Sequence, residues 1–436
     1  MYKFKALLDG KLFDNNRILE IINPVDFSVA GQVVSLTKQD INDAFIAAKS
    51  SQKAWESTDL EKRISILDKW KQLIDQNKEE LAQIIMSETA KPYKDCLTEV
   101  IRSVEYIDQT FYEVRNLKTL IIDGAKYGAK NKIGTFMRVA KGVGVAISPF
   151  NYPINLAVSK IFPCLVTGNT IVFKPATQGS LIGAKLGELA YQANLPKGIF
   201  NVVTGRGREI GDDIITNKLA DFISFTGSVE VGKRLLEISS TKDVVLELGG
   251  KDPAIVLDDL DLEKYAKEII SGAFSYSGQR CTAIKRVITT DKIADQLVPL
   301  LKEKINKLTI GLPKDNCDIT PLIDQKTADF VYGLIDDAKN KGAKIIIGDK
   351  QEKNLIYPTL VDHVTSDMRL VYTKNLDQAL TVAQKLEVGT VNINGKSQRG
   401  PDVFPFLGVK DSGFGVQGIV DTLLFSTRYK GIVINN

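Results

Sequence analysis

Histidine and cysteine are scarce in this 436-residue sequence, which contains one histidine, His363, and four cysteines. No two cysteines form a Cys-x-x-Cys pair, which argues against a zinc site and against a disulfide framework. One histidine does not build a metal centre, so we expect no bound metal and interpret His363 as a surface or second-layer residue. A general base must therefore be a carboxylate or a lysine. The four cysteines are Cys96, Cys164, Cys281 and Cys317.

An excess of one charge and long apolar runs are also missing. The formal net charge is only +4, with 25% charged residues, which gives no electrostatic surface for nucleic acid. No apolar run approaches the ~20 residues that span a bilayer, and the first residues lack the apolar core of a signal peptide. We therefore expect a cytoplasmic protein that binds small molecules, and neither nucleic acid nor membrane.

The pattern that is present is that of an α/β protein. With 44% hydrophobic residues, the chain can build at least two cores. From Val143 to Leu257, short apolar strands alternate with helices, which predicts a doubly wound parallel sheet with its ligand site at the carboxyl ends of the strands. The first strand is not followed by Gly-x-Gly-x-x-Gly, so a dinucleotide would be held in a variant way.

The flanking segments predict helices and a β arm. Capping-box spacing predicts helix starts at Thr37 and at Thr58, with helical periodicity to about Leu117. Residues 118–140 are polar and rich in glycine, which predicts a projecting β-hairpin. The β-rich tail, residues 420–436, is expected to pair with the arm of a neighbouring chain.

Cys281 is the candidate nucleophile. It lies in GAFSYSGQRCTAIKR, where small residues would admit a substrate to the sulfur, and Arg280, Lys285 and Arg286 would favour the thiolate. A cysteine by itself is more often a packing residue. The other motifs of the chain decide between the two interpretations.

Five motifs occur together: ISPFNYP, FKPATQGS, FTGS, LELGGKDPAIVL and GQRCTAIKR. In this order and at these spacings they resemble the aldehyde dehydrogenase superfamily along almost the whole chain, and most of all its non-phosphorylating, NADP-dependent glyceraldehyde-3-phosphate dehydrogenases. The resemblance implies two doubly wound open parallel sheets and a small β oligomerisation arm. The implied domains are an NADP-binding domain (1–117 and 141–249), a catalytic domain (250–411) and oligomerisation elements (118–140 and 420–436).

The resemblance also implies the chemistry. Cys281 would attack an aldehyde, Asn151 would stabilise the oxyanion, and Glu247 would be the general base that hydrolyses the thioester. The apolar neighbours of Glu247 in LELGG are of the kind that raise the pKa of a carboxyl group. The product would be 3-phosphoglycerate, formed in the cytoplasm in glycolysis by a homotetramer arranged as a dimer of dimers.

The cofactor implied is NADP. Thr177 replaces a glutamate that is common in NAD-preferring relatives, which leaves Lys174 as a cation for the ribose 2′-phosphate. Ser228 would lie beside the pyrophosphate at a helix N-terminus. Further cofactor contacts would come from Phe150, Gly205 and Gly227.

The substrate phosphate is expected to bind to Arg115, Tyr152, Arg280 and Arg399, because guanidinium groups match phosphate oxygens in pairs. Taken singly, each arginine is more often a solvated or structural cation. One alternative is a dehydrogenase for another small aldehyde, such as a semialdehyde.

The chain departs from the family after DMRL. Leu370 continues directly into Val371, where relatives carry a Glu-x-Pro-Phe-Gly-Pro motif whose glutamate holds the nicotinamide ribose. A second alternative is therefore an inactive subunit that retains the fold. Two interpretations compete at this junction: the chain lacks the ribose-holding glutamate, or the molecule contains residues between Leu370 and Val371 that this sequence omits. Because deleting a strand would expose apolar surface and unpaired backbone, we favour the second interpretation and expect a spatial gap between these two residues.

Overall fold

The computed structural model describes residues 1–257, 261–364, 386–392 and 395–435. The junction of Leu370 and Val371, and with it the expected gap, lies outside these residues. The strands of the described residues are β1 Tyr2–Phe4, β2 Ala6–Leu8, β3 Lys11–Phe13, β4 Ile18–Ile22, β5 Val29–Val34, β6 Leu120–Asp123, β7 Lys132–Ala140, β8 Val143–Ile147, β9 Thr170–Lys174, β10 Phe200–Val202, β11 Phe222–Thr226, β12 Asp243–Glu247, β13 Asp252–Ile255, β14 Ile284–Ile288, β15 Lys344–Ile347, β16 Gln351–Glu352, β17 Leu355–Ile356, β18 Leu360–Asp362, β19 Phe406–Leu407, β20 Gly413–Phe414, β21 Val416–Gln417 and β22 Thr427–Asn435.

The α-helices of the same residues are α1 Lys38–Glu56, α2 Leu60–Gln76, α3 Lys78–Thr89, α4 Tyr93–Val114, α5 Asn155–Val166, α6 Ser180–Gln192, α7 Gly207–Ile215, α8 Val229–Ile238, α9 Leu262–Phe274, α10 Asp291–Asn306, α11 Gln325–Asn340 and α12 Ile419–Phe425. No helix in this part of the chain is both long enough and apolar enough to cross a bilayer.

The predicted parallel sheet is confirmed. Eight strands lie in the order β20, β12, β11, β8, β9, β10, β2, β3, and β12, β11, β8, β9 and β10 are parallel neighbours. The register pairs Thr226 with Glu247 and Ile147 with Lys174, so the carboxyl ends of these strands are level. The loops that carry the sequence motifs therefore leave the sheet at one edge.

Helices cover both faces of this sheet, as near-continuous apolar strands require. One core lies against α2 to α6 and includes Trp70, which stacks on Phe162 with ring centroids 4.7 Å apart. The other core lies against α1, α7 and α8. A third, smaller core joins α9 and α10 to the parallel pair β13 and β14.

The helix starts agree with the sequence at one of two positions. Thr37 caps α1 in a capping box with Asp40, as predicted. The cap of α2 is Asp59, not Thr58, because the Thr58 hydroxyl donates to the carbonyl of Ala54 at the end of α1.

The arm is a hairpin, as predicted, but its partner strand comes from the same chain. Strand β7 pairs with β6 on one side and with β22 over nine residues on the other. The tail therefore pairs with the arm of its own chain, and β22 is an edge strand of this three-stranded sheet. Pairing of the tail with a neighbour's arm stays a prediction.

Candidate functional site

The loops after the parallel strands line one cleft of about 3000 Å³ between the large sheet and the α9–β14 region. The sequence motifs, distant along the chain, supply neighbouring parts of its wall. The lining includes Phe150, Asn151, Lys174, Thr177, Gly227, Ser228, Glu247, Arg280 and Cys281.

Cys281 lies in a loop with an unusual backbone. Tyr276, Ser277 and Gly278 have φ of +52°, +50° and +71°, a left-handed run that folds the chain back after α9. Gly250 approaches this loop closely, since a Cβ placed there would lie 2.7 Å from the carbonyl oxygen of Cys281. The loop that follows Glu247 can therefore pack directly against the nucleophile.

The electrostatic surroundings of Cys281 differ from the prediction. Burial raises the pKa of the thiol, and the carboxylates of Glu247 and Asp252 raise it further, against smaller effects of Lys285 and Arg399. The cations predicted to favour the thiolate are engaged with backbone carbonyls. Arg280 donates to Gly272 (2.6 Å), Lys285 to Arg280 and Ala283, and Arg286 to Lys251.

Asn151 lies between β8 and α5 with its side chain at the nucleophile loop. Its Nδ2 donates to the carbonyl oxygen of Gln279, 2.8 Å away and two residues before Cys281. Its Oδ1 is buried without a hydrogen-bond partner among the described residues. The structure thus brings the predicted oxyanion donor to the loop that carries the predicted nucleophile.

Glu247 ends β12 and is buried, but its surroundings are more polar than the sequence indicated. One carboxylate oxygen accepts a hydrogen bond from the Thr226 hydroxyl (2.9 Å) and lies 3.8 Å from Lys160 Nζ. The other lies 3.5 Å from a guanidinium nitrogen of Arg399. Two cations therefore face the candidate base, where apolar neighbours were expected.

Lys160 is a site residue that the sequence interpretation missed. It belongs to α5, in which every residue is buried, and burial lowers the pKa of its ammonium group to about 8 while Glu247 acts in the opposite direction. A single lysine in the otherwise apolar segment SKIFPCLV was the available signal. Charged side chains are rarely buried without a partner, and here the partner comes from β12.

Lys174 ends β9 as a buried cation at the cleft. Its Nζ donates to the carbonyl oxygen of Pro175 (3.0 Å), and burial lowers its pKa to about 8, with no carboxylate contributing. Thr177, on the loop that follows, adds no negative charge. A cation without a carboxylate partner, next to a neutral side chain, fits a bound phosphate group.

Of the other predicted cofactor residues, some line the cleft and one packs outside it. Ser228 caps α8 by accepting from the Val231 N–H (3.3 Å), and Phe150 and Gly227 line the cleft. Gly205 is not among the lining residues and packs against Ile210 of α7.

The predicted phosphate ligands do not all lie together. Arg280 lines the cleft, and Arg399 lies behind Glu247 with one terminal nitrogen buried and unpartnered within the described chain. Tyr152 packs beneath the ammonium group of Lys91. Arg115 is on the surface, where it forms an ion pair with Glu61 (2.6 Å), and the structure does not bring it to the cleft.

An arginine within α4, Arg102, lies beside Arg399. Arg102 forms an ion pair with Asp402 (3.1 Å), and the second oxygen of that carboxylate lies 3.6 Å from Arg399 Nε. The sequence did not indicate whether Arg102 or Arg115 would lie beside Arg399, because this depends on which face of α4 meets the 399–402 loop.

His363 is exposed, as interpreted from the sequence. The described residues contain no cluster of metal-ligating side chains.

Relatives of known activity share this architecture. The chain is 41% identical to the NADP-dependent glyceraldehyde-3-phosphate dehydrogenase of Streptococcus equinus, with 99% of each chain covered, and 39% identical to that of Pisum sativum, with 100% and 95% covered. Among solved structures, the NADP-dependent glyceraldehyde-3-phosphate dehydrogenase from Bacillus halodurans C-125 complexed with NADP has a TM-score of 0.97 at 44% identity over all of both chains. The glyceraldehyde-3-phosphate dehydrogenase from Methanocaldococcus jannaschii complexed with NADP has a TM-score of 0.90 at 30% identity, with 97% of this chain and 100% of that chain covered.

The family comparison also marks the departure noticed in the sequence. The alignment with the Streptococcus equinus enzyme spans 470 positions, more than the 436 residues of this chain, so the relative contains residues without a counterpart here. The aldehyde dehydrogenase family model matches residues 13–371 and 370–432, two stretches that meet where the family motif was expected. Together these matches cover nearly the whole sequence, and the chain belongs to the aldehyde dehydrogenase family.

Proposed function

We propose that the protein oxidises glyceraldehyde 3-phosphate to 3-phosphoglycerate with NADP, through a cysteine thiohemiacetal and a hydrolysed thioester. The observation that carries the proposal is the convergence of Cys281, Asn151 and Glu247 on one cleft that also contains the buried cation Lys174. Relatives about 40% identical along the whole chain bear the name of this activity.

The first step forms a bond between the Cys281 sulfur and the aldehyde carbon. The aldehyde oxygen then carries negative charge, which the Asn151 amide and the Cys281 N–H would stabilise; removing one such donor typically costs ~3–4 kcal/mol of barrier. Because burial and two carboxylates raise the pKa of the free thiol, its proton is released to solvent as the bond forms. When bound, NADP supplies the acceptor for the hydride that the adduct loses as it becomes a thioester.

The second step is hydrolysis of the thioester. Glu247 would take a proton from the attacking water, and the thiol of Cys281 is regenerated as the acid product leaves. Lys160 Nζ and a guanidinium nitrogen of Arg399 both lie within 4 Å of the Glu247 carboxylate, so two cations border the group that would act as the base.

We propose that Arg280, which lines the cleft, binds the substrate phosphate. Arg399, Tyr152 and Arg102 are not among the lining residues and are proposed to support this site from behind its wall. Arg399 supports this role with a buried terminal nitrogen that has no partner among the described residues, and Arg102 is tied to the same Asp402.

One assay with two cofactors and two aldehydes tests the proposed function. We expect rapid NADPH formation from glyceraldehyde 3-phosphate, and much slower turnover with NAD or with unphosphorylated glyceraldehyde. Faster turnover of a semialdehyde would assign the chain to another substrate. No NADPH formation from any aldehyde would support an inactive subunit, as the missing family motif would allow.

Alanine substitution of Arg102, within α4, and of Arg115, the residue that follows α4, should separate their roles. Arg102→Ala is expected to raise KM for glyceraldehyde 3-phosphate ~10- to 100-fold, whereas Arg115→Ala should change it by less than ~twofold, because an exposed ion pair contributes little. Steady-state kinetics with phosphorylated and unphosphorylated glyceraldehyde measure the effect. A larger rise in KM with Arg115→Ala than with Arg102→Ala would show that Arg115 binds the substrate phosphate.

The pH dependence of cofactor binding should report on Lys174. Its pKa is about 8 in the free protein, so the side chain becomes neutral as the pH rises above that value and must regain a proton to pair with the 2′-phosphate. We expect the Kd for NADP to rise up to ~tenfold per pH unit above pH 8, with no such slope for NAD. Titrations from pH 7.5 to 10 measure it, and Lys174→Met should bind NADP weakly without the slope.

We further propose a cytoplasmic homotetramer, a dimer of dimers, in which the arm forms a contact between chains. Apolar side chains are exposed along β6 and β22, among them Ile121 at 73% and Val433 at 52%. Exposed apolar surface of this kind marks protein contacts. Lys substitution of both residues should shift sedimentation to smaller species, whereas Ile46→Lys, at a site on α1 that is 50% exposed, should not. Unchanged sedimentation of the arm variant would place the interface elsewhere.

A further inference from the structure

Lys91 and Glu99 form an ion pair beneath the cleft that no step described above uses. Their side chains are only 2% and 1% exposed, and Lys91 Nζ lies 2.7 Å from Glu99 Oε2. A buried charge pair is costly unless its remaining hydrogen-bonding groups are satisfied. The other partners of the two side chains therefore show what the pair holds in place.

These partners lie at the two ends of one short segment. Lys91 Nζ donates to the main-chain oxygen of Asn151 (3.2 Å). Glu99 Oε1 accepts from the main-chain N–H groups of Ile154 and Asn155, both at 3.0 Å, where α5 begins. The pair thus fixes the backbone of residues 151–155, which carries the amide side chain of Asn151 into the cleft.

Lys91 also contacts the loop of the nucleophile. Its Nζ lies 3.8 Å from the ring centroid of Tyr152 and 4.9 Å from that of Tyr276, and the two rings meet edge to face. Tyr276 begins the left-handed run that leads to Cys281. One ammonium group therefore lies against both segments whose relative position sets the distance between Asn151 and Cys281.

We propose that Lys91 is a positioning residue that, anchored by Glu99, holds the Asn151 amide at the oxyanion formed on Cys281. Lys91 is buried and does not line the cleft, so it acts through Asn151 and not by touching substrate. The proposal rests on the proposed function in one respect, the assignment of Asn151 as oxyanion donor. Displacing such a donor by about 1 Å is enough to cost a rate factor of ~100.

The test replaces both charges, as Lys91→Met with Glu99→Gln, so that no unpaired ion stays buried. Two reactions are followed: single-turnover NADPH formation from glyceraldehyde 3-phosphate, and release of p-nitrophenolate from p-nitrophenyl acetate without cofactor. In the second reaction the Cys281 thiol loses its proton to solvent and its sulfur bonds to the acyl carbon as p-nitrophenolate leaves. Water later hydrolyses the thioester to acetate and the free thiol. Both reactions place an oxyanion at the same position.

We expect both acylation rates to fall ~10- to 100-fold, while alkylation of Cys281 by iodoacetamide, which forms no oxyanion, changes by less than ~twofold. In an Asn151→Ala background the same pair of substitutions should cost less than ~threefold, because the group through which Lys91 acts is gone. The matched control is Lys185→Met with Glu188→Gln, a Lys–Glu pair 2.8 Å apart on α6, which should leave the rates unchanged.

Three results would overturn the role of Lys91: unchanged acylation in the folded variant, an equal loss with and without Asn151, or equal slowing of alkylation. If the double variant does not fold, Lys91→Arg keeps a cation for Glu99, and its larger planar group should displace Asn151 with the same selective loss. A wild-type protein that cleaves the ester but does not oxidise glyceraldehyde 3-phosphate would refute only the proposed substrate. A wild-type protein that does not cleave the ester would refute the Lys91 role as well.

Discussion

Cys281→Ser is expected to abolish aldehyde oxidation, lowering kcat by at least ~1000-fold. A serine hydroxyl ionises far less readily than a thiol, and the site disfavours ionisation even of the thiol, since burial, Glu247 and Asp252 raise its pKa by more than Lys285 and Arg399 lower it. NADPH formation under saturating substrate and cofactor measures the loss. Retention of more than a few per cent of the activity would refute covalent catalysis by this residue.

Cys317→Ser is the matched control, because Cys317 is the other partly exposed cysteine of the described chain. It should retain activity and should still be inactivated by iodoacetamide, whereas Cys281→Ser should not take up label at the cleft. Because burial and two carboxylates raise the Cys281 pKa above its usual value of 9.0, the rate of alkylation should still increase with pH beyond pH 9.

The sequence predicted those features of the fold that depend on residues close together along the chain. The strand pattern VGVAI, NTIVF and FISFT predicts a parallel sheet because only strands buried on both faces are apolar throughout. The motif residues then follow from topology, since Asn151, Lys174 and Glu247 each lie at or just after a strand end in that sheet. The capping box at Thr37 was predictable because it depends only on two residues three positions apart in the sequence.

Features that depend on distant partners were not predictable in this way. Lys160 and Arg399 face Glu247 from α5 and from a loop more than 150 residues away from β12, so the apolar motif LELGG gave no sign of them. Arg280 is adjacent to Cys281 along the chain, yet its guanidinium group donates to Gly272. The cations near Cys281 in the sequence were predicted to favour its thiolate, but the pKa of the thiol is raised.

Glu247→Gln is expected to convert the enzyme to one that makes about one NADPH per site and then slows ~100- to 10,000-fold, the range that a general base contributes. Glutamine has the shape of glutamate and can still accept from the Thr226 hydroxyl, but it does not take a proton from water. The thioester should therefore form and persist. Rapid mixing with NADPH absorbance measures the burst, and acid quenching followed by mass measurement should find the acyl group on Cys281.

Alkylation of Cys281 distinguishes a role of Glu247 as the general base from a role in which its negative charge only changes the pKa of the thiol. The Glu247 carboxylate raises the Cys281 pKa, so its removal should leave alkylation by iodoacetamide as fast as in the wild type or faster, even though turnover stalls. Asp252→Asn removes the other carboxylate that raises this pKa and should likewise not slow alkylation, while turnover continues. A Glu247→Gln protein with no burst, or an Asp252→Asn protein that stalls after one turnover, would show that Glu247 is not the base for hydrolysis. A missing burst together with slow alkylation would instead place Glu247 at the step in which Cys281 loses its proton.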